Sequence, residues 1–259
     1  MINDIIFRTS WRYSSGKGYN LMNNLKKVNA KELYNLLIEK KVIGATGKII
    51  FEMADIPVQI STTDTVGQSI QSWLKQWMIH HKIYFTEPES TQVFPDFILD
   101  DANMKNSLLE VKAFNYDASP AFDIANFESY CTSLSTKAYR LDADYLIFGY
   151  SMNNGTITIK DIWLKKIWEI SSTSSNHALR VQDKRGTIYN IRPCKWYGTT
   201  RRNAISPFKS KEDFILAIYK TLKNYKNTSI NCDTWIKSVV DNYKLHTSND
   251  LLVDLSEEI

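Results

Sequence analysis

Cysteine is scarce in this chain, which has only Cys131, Cys194 and Cys232 among its 259 residues. Their number is odd and they are widely separated, and none has a zinc-type partner at close spacing. This pattern argues against a disulfide framework and against a structural zinc site. Reduced thiols of a cytoplasmic protein are therefore the expectation.

Long apolar runs are also missing from the sequence. The first residues, M-I-N-D-I-I-F-R-T-S-W-R, lack the continuous apolar core of a signal peptide. No segment approaches the roughly 20 apolar residues that a membrane-spanning helix requires. We also find no internal repeat, linker or low-complexity tract. The sequence thus predicts a soluble, cytoplasmic protein with no membrane segment.

The composition is that of an ordinary folded protein, with 43% hydrophobic and 23% charged residues. Short apolar runs typical of strands are interspersed with amphipathic helical stretches, and D-Y-L-I-F-G-Y at 144–150 indicates a central strand covered on both faces. We predict one α/β domain with a mixed central β-sheet flanked by helices. Its predicted limits are residues 29–245, with an arm over 1–28 and an acidic tail over 246–259.

Apolar residues at helical spacing predict helices over 30–41, 67–81, 163–170, 211–225 and 234–243, and another that begins near Ala121. Alternating apolar residues predict short strands at 48–53 and 56–61 and a hairpin over 178–193. Asn29 and Ser210 are predicted to cap the helices that follow them.

The stretch from Phe94 to Phe114 carries the main chemical signal. F-P-D-F-I-L and L-L-E-V-K-A-F flank a polar break, which predicts two antiparallel strands joined by a loop. Because side chains alternate along a strand, Glu110 and Lys112 should share one face while Val111 points into the core. Asp96 should then lie across from Glu110 on the neighbouring strand.

Two adjacent carboxylates repel each other unless a cation neutralises them. Oxygen ligands of this kind favour Mg²⁺, and a lysine beside the metal can orient water or stabilise charge on phosphorus. Asp96, Glu110 and Lys112 therefore predict the catalytic set of a phosphodiester hydrolase. An exposed hairpin with a cross-strand Glu–Lys pair is the simpler alternative for the same pattern.

Polar residues elsewhere supply candidates for the active site and for a nucleic-acid surface. Gln68 and Gln71 on the predicted helix before the hairpin, and Glu52 outside it, are candidates for an additional active-site residue. Between Arg180 and Lys211 there are nine lysines or arginines and one acid, Asp183. Such a block indicates a surface for phosphates. The candidate DNA contacts are Asn115, Tyr116, Arg180, Lys184, Arg185, Arg192, Lys195, Arg201, Arg202 and Asn203.

Pro95-Asp96 followed by Glu110-Val111-Lys112 resembles the PD-(D/E)xK signature of type II restriction endonucleases and related nucleases. The segments 63–73, 122–127, 140–150 and 162–170 are similar to the NgoBV/NlaIV group of these enzymes. The resemblance implies a restriction-endonuclease-like core and Mg²⁺-dependent cleavage of double-stranded DNA. It further implies a palindromic target resembling GGNNCC, a homodimer and a DNA methyltransferase as genetic companion. In this hypothesis Asp96, Glu110 and the backbone carbonyl of Val111 hold the Mg²⁺.

Three other functions are compatible with the same residues. A structure-specific or repair nuclease of this fold would cleave without sequence preference. A DNA-binding module would have lost cleavage, although the intact set of Asp96, Glu110 and Lys112 argues against it. An enzyme acting on RNA is the third alternative, and competition between duplex DNA and RNA distinguishes it.

Overall fold

The structure is a computed structural model that describes residues 25–88, 94–198 and 206–256. Its nine strands are β1 (Thr46–Met53), β2 (Ile56–Ile60), β3 (Phe97–Ile98), β4 (Leu108–Asn115), β5 (Ala125–Asn126), β6 (Asp144–Asn153), β7 (Thr156–Lys165), β8 (Val181–Lys184) and β9 (Thr187–Ile191). The α-helices of this described part are α1 (Ala30–Glu39), α2 (Val66–His80), α3 (Phe127–Leu134), α4 (Lys211–Asn224) and α5 (Cys232–Thr247). Short 3₁₀ segments lie at Asp101–Asn106, Ala138–Asp142 and Ile167–Ile170.

The central sheet has six strands in the order β2-β1-β7-β6-β4-β3. Strands β4 and β6 are parallel, and the other neighbouring pairs are antiparallel. The predicted mixed sheet flanked by helices is therefore confirmed. A smaller sheet, β5-β9-β8, contains the predicted hairpin over 178–193.

Strand β6 is buried on both faces, as its apolar sequence predicts. Tyr145 and Ile147 pack into the core shared with α3, α4 and α5. Leu146 and Phe148 pack on the opposite face, into the core shared with α1 and α2. Because successive side chains alternate, one strand supplies both cores and holds the two helical layers to the sheet.

The helix ends follow their capping residues. Asn29 and Glu32 form a capping box at the start of α1, and Ser210 accepts a hydrogen bond from the amide of Asp213 at the start of α4. These two predicted caps are confirmed. Each satisfies an amide that has no partner within its helix.

Two predicted helices are wrong. The helix expected near Ala121 begins only at Phe127, because Ala125 and Asn126 first pair with β9 and Asn126 then caps the helix. The helix expected over 163–170 is instead the end of β7 followed by a short 3₁₀ segment. There Trp163 and Leu164 pair with Ile147 and Leu146 of β6, so sheet pairing overrides the helical spacing of the apolar residues.

The ends of the described chain contact the body. Residues 1–24 of the predicted arm lie outside the described residues, but Lys26 exchanges backbone hydrogen bonds with Lys82 and Tyr84, and Val28 is buried. In the predicted acidic tail, Leu251 is buried in the core shared with α3, α4 and α5. Among the helices of the described residues, none has the length and apolar composition of a membrane span.

Helix α2 should contribute strongly to stability because it covers the sheet beside β4. Leu74 of α2 is fully buried, whereas Leu245 of α5 is 75% exposed. We expect Leu74→Ala to lower the free energy of unfolding by about 2–5 kcal/mol. The matched change Leu245→Ala should shift it by less than about 0.5 kcal/mol. Urea denaturation measures both, and equal effects would contradict this account of the core.

Candidate active site

The predicted hairpin places Asp96 and Glu110 side by side at the edge of the sheet. Phe97 of β3 pairs with Leu109 of β4, and Ile98 pairs with Leu108. Continuing this antiparallel register by one residue brings Asp96 opposite Glu110. The polar break between the strands forms the 3₁₀ segment Asp101–Asn106.

Both carboxylate oxygens of Asp96 accept hydrogen bonds. The backbone amide of Val111 donates to Oδ2 over 2.7 Å, and Nε2 of Gln71 donates to Oδ1 over 2.7 Å. Gln71 lies on α2, so this helix reaches the site directly. In an extended strand the amide and carbonyl of one residue point to the same side, and the carbonyl of Val111 therefore faces the same edge as Asp96.

Glu110 and Lys112 share one face of β4, as predicted. Nζ of Lys112 lies 2.9 Å from Oε1 of Glu110, and their side chains are 20% and 11% exposed. Val111, between them, packs into the core shared with α1 and α2. The Glu110 side chain is thus nearly enclosed, and the Lys112 side chain is somewhat more exposed.

Burial sets the electrostatics of the carboxylates. It raises the pKa of Asp96 above its ordinary value of 3.8, against the opposing effects of the Val111 amide and of Lys112. Burial likewise raises the pKa of Glu110 above 4.5, and the charge of Asp96 raises it further while Lys112 opposes. The ionised pair is therefore disfavoured in the protein alone, and a bound cation would relieve this penalty.

Arg140 supports the segment that carries Asp96, a role that sequence reasoning missed. Its guanidinium donates to the carbonyl oxygen of Phe94 over 3.2 Å and lies 5.4 Å from the centre of the Phe94 ring. It also donates to Oγ of Ser133 over 2.7 Å. An isolated arginine between two predicted elements carries no local signal for this contact, which joins residues 46 positions apart.

The three polar candidates for an additional active-site residue lie in different parts of the structure. Gln71 contacts Asp96, whereas Gln68 is exposed and lines a different groove together with Lys48 and Thr65. Glu52 lies near the tip of the β1–β2 hairpin, opposite Pro57, and β7 and β6 separate β1 from β4. Neither Gln68 nor Glu52 is brought to the carboxylates.

The donor set fits a hard divalent cation that retains water. Two carboxylates and one carbonyl face the same edge, and Mg²⁺ is commonly held by one or two carboxylates with waters and phosphate. Within the described residues, no group of three or more His, Cys, Asp or Glu side chains is arranged so that it could hold a metal ion by itself. The arrangement is thus unlike a fully protein-ligated zinc or calcium site.

The family model of the NgoBV restriction endonuclease matches residues 27–259 of the chain. The chain belongs to this family. It is 40% identical over 235 residues to the type II restriction enzyme NlaIV of Neisseria lactamica, a match covering 90% of this chain and 96% of that protein. It is 36% identical over 175 residues to the type II restriction enzyme NgoBV of Neisseria gonorrhoeae, covering 67% and 98% respectively.

A solved structure of the NlaIV restriction endonuclease superimposes with a TM-score of 0.84 at 38% identity, covering 90% of this chain and 96% of that chain. The restriction-endonuclease-like fold and the resemblance to the NgoBV/NlaIV group are thereby confirmed. This member of the NgoBV family is a type II restriction enzyme, a site-specific hydrolase of DNA.

In this family member the described basic candidates lie on or directly beside the strands of the smaller sheet. Arg180, Arg185 and Arg192 line an open groove of about 830 Å³ beside β8 and β9. Arg192 is already paired with the Asp123 carboxylate and donates to the carbonyl of Ala121. Arg180 and Arg185 are exposed. The groove therefore presents two exposed guanidinium groups to a ligand.

The remaining candidate DNA contacts lie in an aromatic cluster or on the surface. Tyr116 stacks on Trp163 with an interplanar angle of 7°, and Tyr197 packs against both rings. The Asn115 side chain accepts from the amide of Asp117. Exposed Lys184 and Lys195 lie over the rings of Tyr189 and Tyr197. Arg201, Arg202 and Asn203 lie outside the described residues.

The raised pKa of Glu110 has a measurable consequence for stability. A carboxyl group whose pKa is raised on folding binds its proton more tightly in the folded state, so stability falls as pH rises through the unfolded and then the folded pKa. We therefore expect metal-free Glu110→Gln to be more stable than the wild type at pH 7. The difference should vanish below about pH 4, where Glu is protonated in both states.

With a divalent cation bound, the wild type should instead be more stable than Glu110→Gln. At 100 times its dissociation constant, an ion that binds only the folded state stabilises it by about 2.7 kcal/mol. Thermal unfolding with and without Mg²⁺ should show this gain in the wild type and in the control Glu39→Gln, whose side chain is exposed. Glu110→Gln should lose it. An unchanged metal response of Glu110→Gln would contradict the assignment of Glu110 as a ligand.

Proposed function

We propose that this restriction enzyme uses Mg²⁺ to hydrolyse phosphodiester bonds in both strands of a short palindromic site, and that it acts as a homodimer. The observation that carries the proposal is the grouping of Asp96, Glu110 and Lys112 at one sheet edge. The likeness to the NgoBV/NlaIV group makes GGNNCC the expected target. A palindrome suits a two-fold dimer with one active site for each strand.

Asp96, Glu110 and the carbonyl of Val111 would hold the ion. When bound, Mg²⁺ withdraws charge from the phosphate and makes water more acidic. The raised pKa values of both carboxyl groups are consistent with a site completed by a cation. The hydrogen bonds from Gln71 and Val111 hold the Asp96 carboxylate at both oxygens, so this ligand would be held in one orientation before an ion binds.

Lys112 positions the attacking water and stabilises the charge that develops on the phosphate. Its ammonium is paired with Glu110, and the Lys112 side chain is 20% exposed, so Lys112 would contact both Glu110 and the substrate phosphate. A preorganised cation at this place acts more strongly on the transition state than a solvated one. The reaction is direct attack of water on phosphorus, without a covalent enzyme intermediate.

Arg180 and Arg185 are the described residues best placed to contact DNA, because both are exposed at the groove beside β8 and β9. An arginine paired with guanine is the commonest specific base contact. Most of the other basic residues would contact phosphates, which position the protein without specifying sequence. This division assigns recognition to the smaller sheet and cleavage to β3 and β4.

Removing the Lys112 ammonium should abolish cleavage while sparing binding. We expect Lys112→Ala to lower the single-turnover cleavage rate at least about 100-fold, with DNA affinity within about tenfold of the wild type. Quenched-flow cleavage and fluorescence anisotropy measure the two quantities. Lys165→Ala, which removes a lysine with a similarly exposed side chain, should leave both unchanged. Undiminished cleavage by Lys112→Ala would refute its role.

Digestion of a sequenced plasmid tests the sequence specificity. With Mg²⁺ we expect discrete fragments whose ends map to GGNNCC sites, and no cleavage with EDTA. A smear would instead identify a structure-specific or non-specific nuclease of the same fold. Binding without any cleavage at several Mg²⁺ concentrations would identify a DNA-binding module.

A further inference from the structure

Arg192 differs from the other two arginines of the groove beside β8 and β9 because its guanidinium is held from two sides. The Asp123 carboxylate pairs with Nη1, and the carbonyl oxygen of Ala121 accepts a hydrogen bond from Nη2 over 2.6 Å. The Arg192 side chain is 26% exposed and lines the groove. Arg180 and Arg185 are exposed and make no side-chain hydrogen bond within the described residues. The orientation of Arg192 is therefore set before a ligand binds.

The two contacts of Arg192 leave donor groups for a ligand. A guanidinium has five N–H groups, and the contacts with Asp123 and Ala121 use two of them. The Nε–H group and one N–H on each terminal nitrogen remain. A side chain that is already held loses less conformational entropy on binding than a free one. Such a planar, charged donor favours an acceptor that takes two parallel hydrogen bonds.

Packing contacts place the pair of Asp123 and Arg192 beside strand β4. The ring of Phe122, the residue before Asp123, lies 6.2 Å from the ring of Phe114 between their centres. Phe114 is two residues beyond Lys112 in β4, and two residues of a strand span roughly 7 Å. A site of six base pairs is roughly 20 Å long. A duplex with its scissile phosphate at Lys112 would therefore extend over the region of this pair.

Asp123 is unfavourable on a surface that serves only to attract phosphates. Its side chain is 52% exposed and adds a negative charge that repels DNA. Exposed ion pairs also contribute little to stability, so folding alone explains the pair poorly. Base recognition accounts for both observations, because it depends on the orientation of the guanidinium as well as on its charge.

We propose that Arg192 contacts a guanine base of the target site and thereby contributes to sequence specificity, with Asp123 as the residue that positions it. Guanine presents two acceptors, N7 and O6, at its major-groove edge, and an arginine that donates to both is the commonest specific contact. The exposed Arg180 and Arg185 can adjust to DNA, whereas the held guanidinium of Arg192 requires an acceptor at one place. A guanine contact rests on the proposed function, because it needs a target that contains guanine.

Three duplexes provide the test. One carries the target site, which is GGNNCC under the proposed function, and in each of the others one of the two G·C pairs of every half-site is replaced by A·T. Fluorescence anisotropy with Ca²⁺, which takes oxygen ligands as Mg²⁺ does, measures the dissociation constants, and a gel checks that the DNA stays intact. The ratio of the constants for a changed and the unchanged duplex is the discrimination.

Arg192→Lys keeps the charge but removes the planar pair of donors. We expect it to lower the discrimination at one guanine position at least about fivefold, with affinity for the changed duplex within about threefold of the wild type. Asp123→Ala should lower the discrimination at the same position, while binding to the changed duplex becomes tighter because a repelling charge is gone. A merely structural role would instead weaken binding to all three duplexes alike and leave the ratio unchanged.

Asp117→Ala is the matched control, because Asp117 is an exposed acid just beyond β4 that forms no ion pair within the described residues. It should keep the discrimination within about twofold of the wild type, and circular dichroism checks that each variant is folded. Unchanged discrimination in Arg192→Lys or in Asp123→Ala overturns the guanine contact alone. A wild type without preference for the target site refutes the proposed function as well, and no variant is needed to see it. Discrimination that depends on Arg192, without cleavage in Mg²⁺, refutes the proposed function alone.

Discussion

Burial of the two carboxylates beside β3 and β4 is the constraint on which the site depends. Charge is disfavoured in a low-dielectric environment, and the raised pKa values of Asp96 and Glu110 express that cost. Neighbouring groups offset only part of this cost. The Val111 amide and Gln71 donate hydrogen bonds to Asp96, and Lys112 forms an ion pair with Glu110. The site is consequently a poor arrangement for stability alone and a suitable one for capturing a cation.

Several elements of the fold hold the two buried carboxylates in place. Strand β4 is anchored by its parallel pairing with the doubly buried β6. Helix α2 packs on the sheet and carries Gln71 to Asp96. Arg140 fixes the carbonyl of Phe94, two residues before Asp96. Elements distant in sequence thus determine the orientation of one carboxylate.

The smaller sheet and the β1–β2 hairpin at the far edge of the central sheet supply no residue to the Asp96–Glu110 site, and they differ in chemistry. The groove beside β8 and β9 is lined by arginines and suits an anionic ligand. The β1–β2 hairpin instead has one face made only of apolar residues, namely Ile49, Phe51, Met53, Ile56, Val58 and Ile60. Under the proposed function, the groove is the surface that would contact DNA phosphates.

The sequence by itself determined the local features. Alternation along L-L-E-V-K placed Glu110 and Lys112 on one face, and Asn29 and Ser210 marked helix starts, because these effects act over only a few residues. Only the tertiary structure decided between Gln71 and the alternatives Gln68 and Glu52, revealed Arg140, and turned residues 163–165 into a strand. Those outcomes depend on contacts between residues far apart in the chain, and local periodicity contains no information about such contacts.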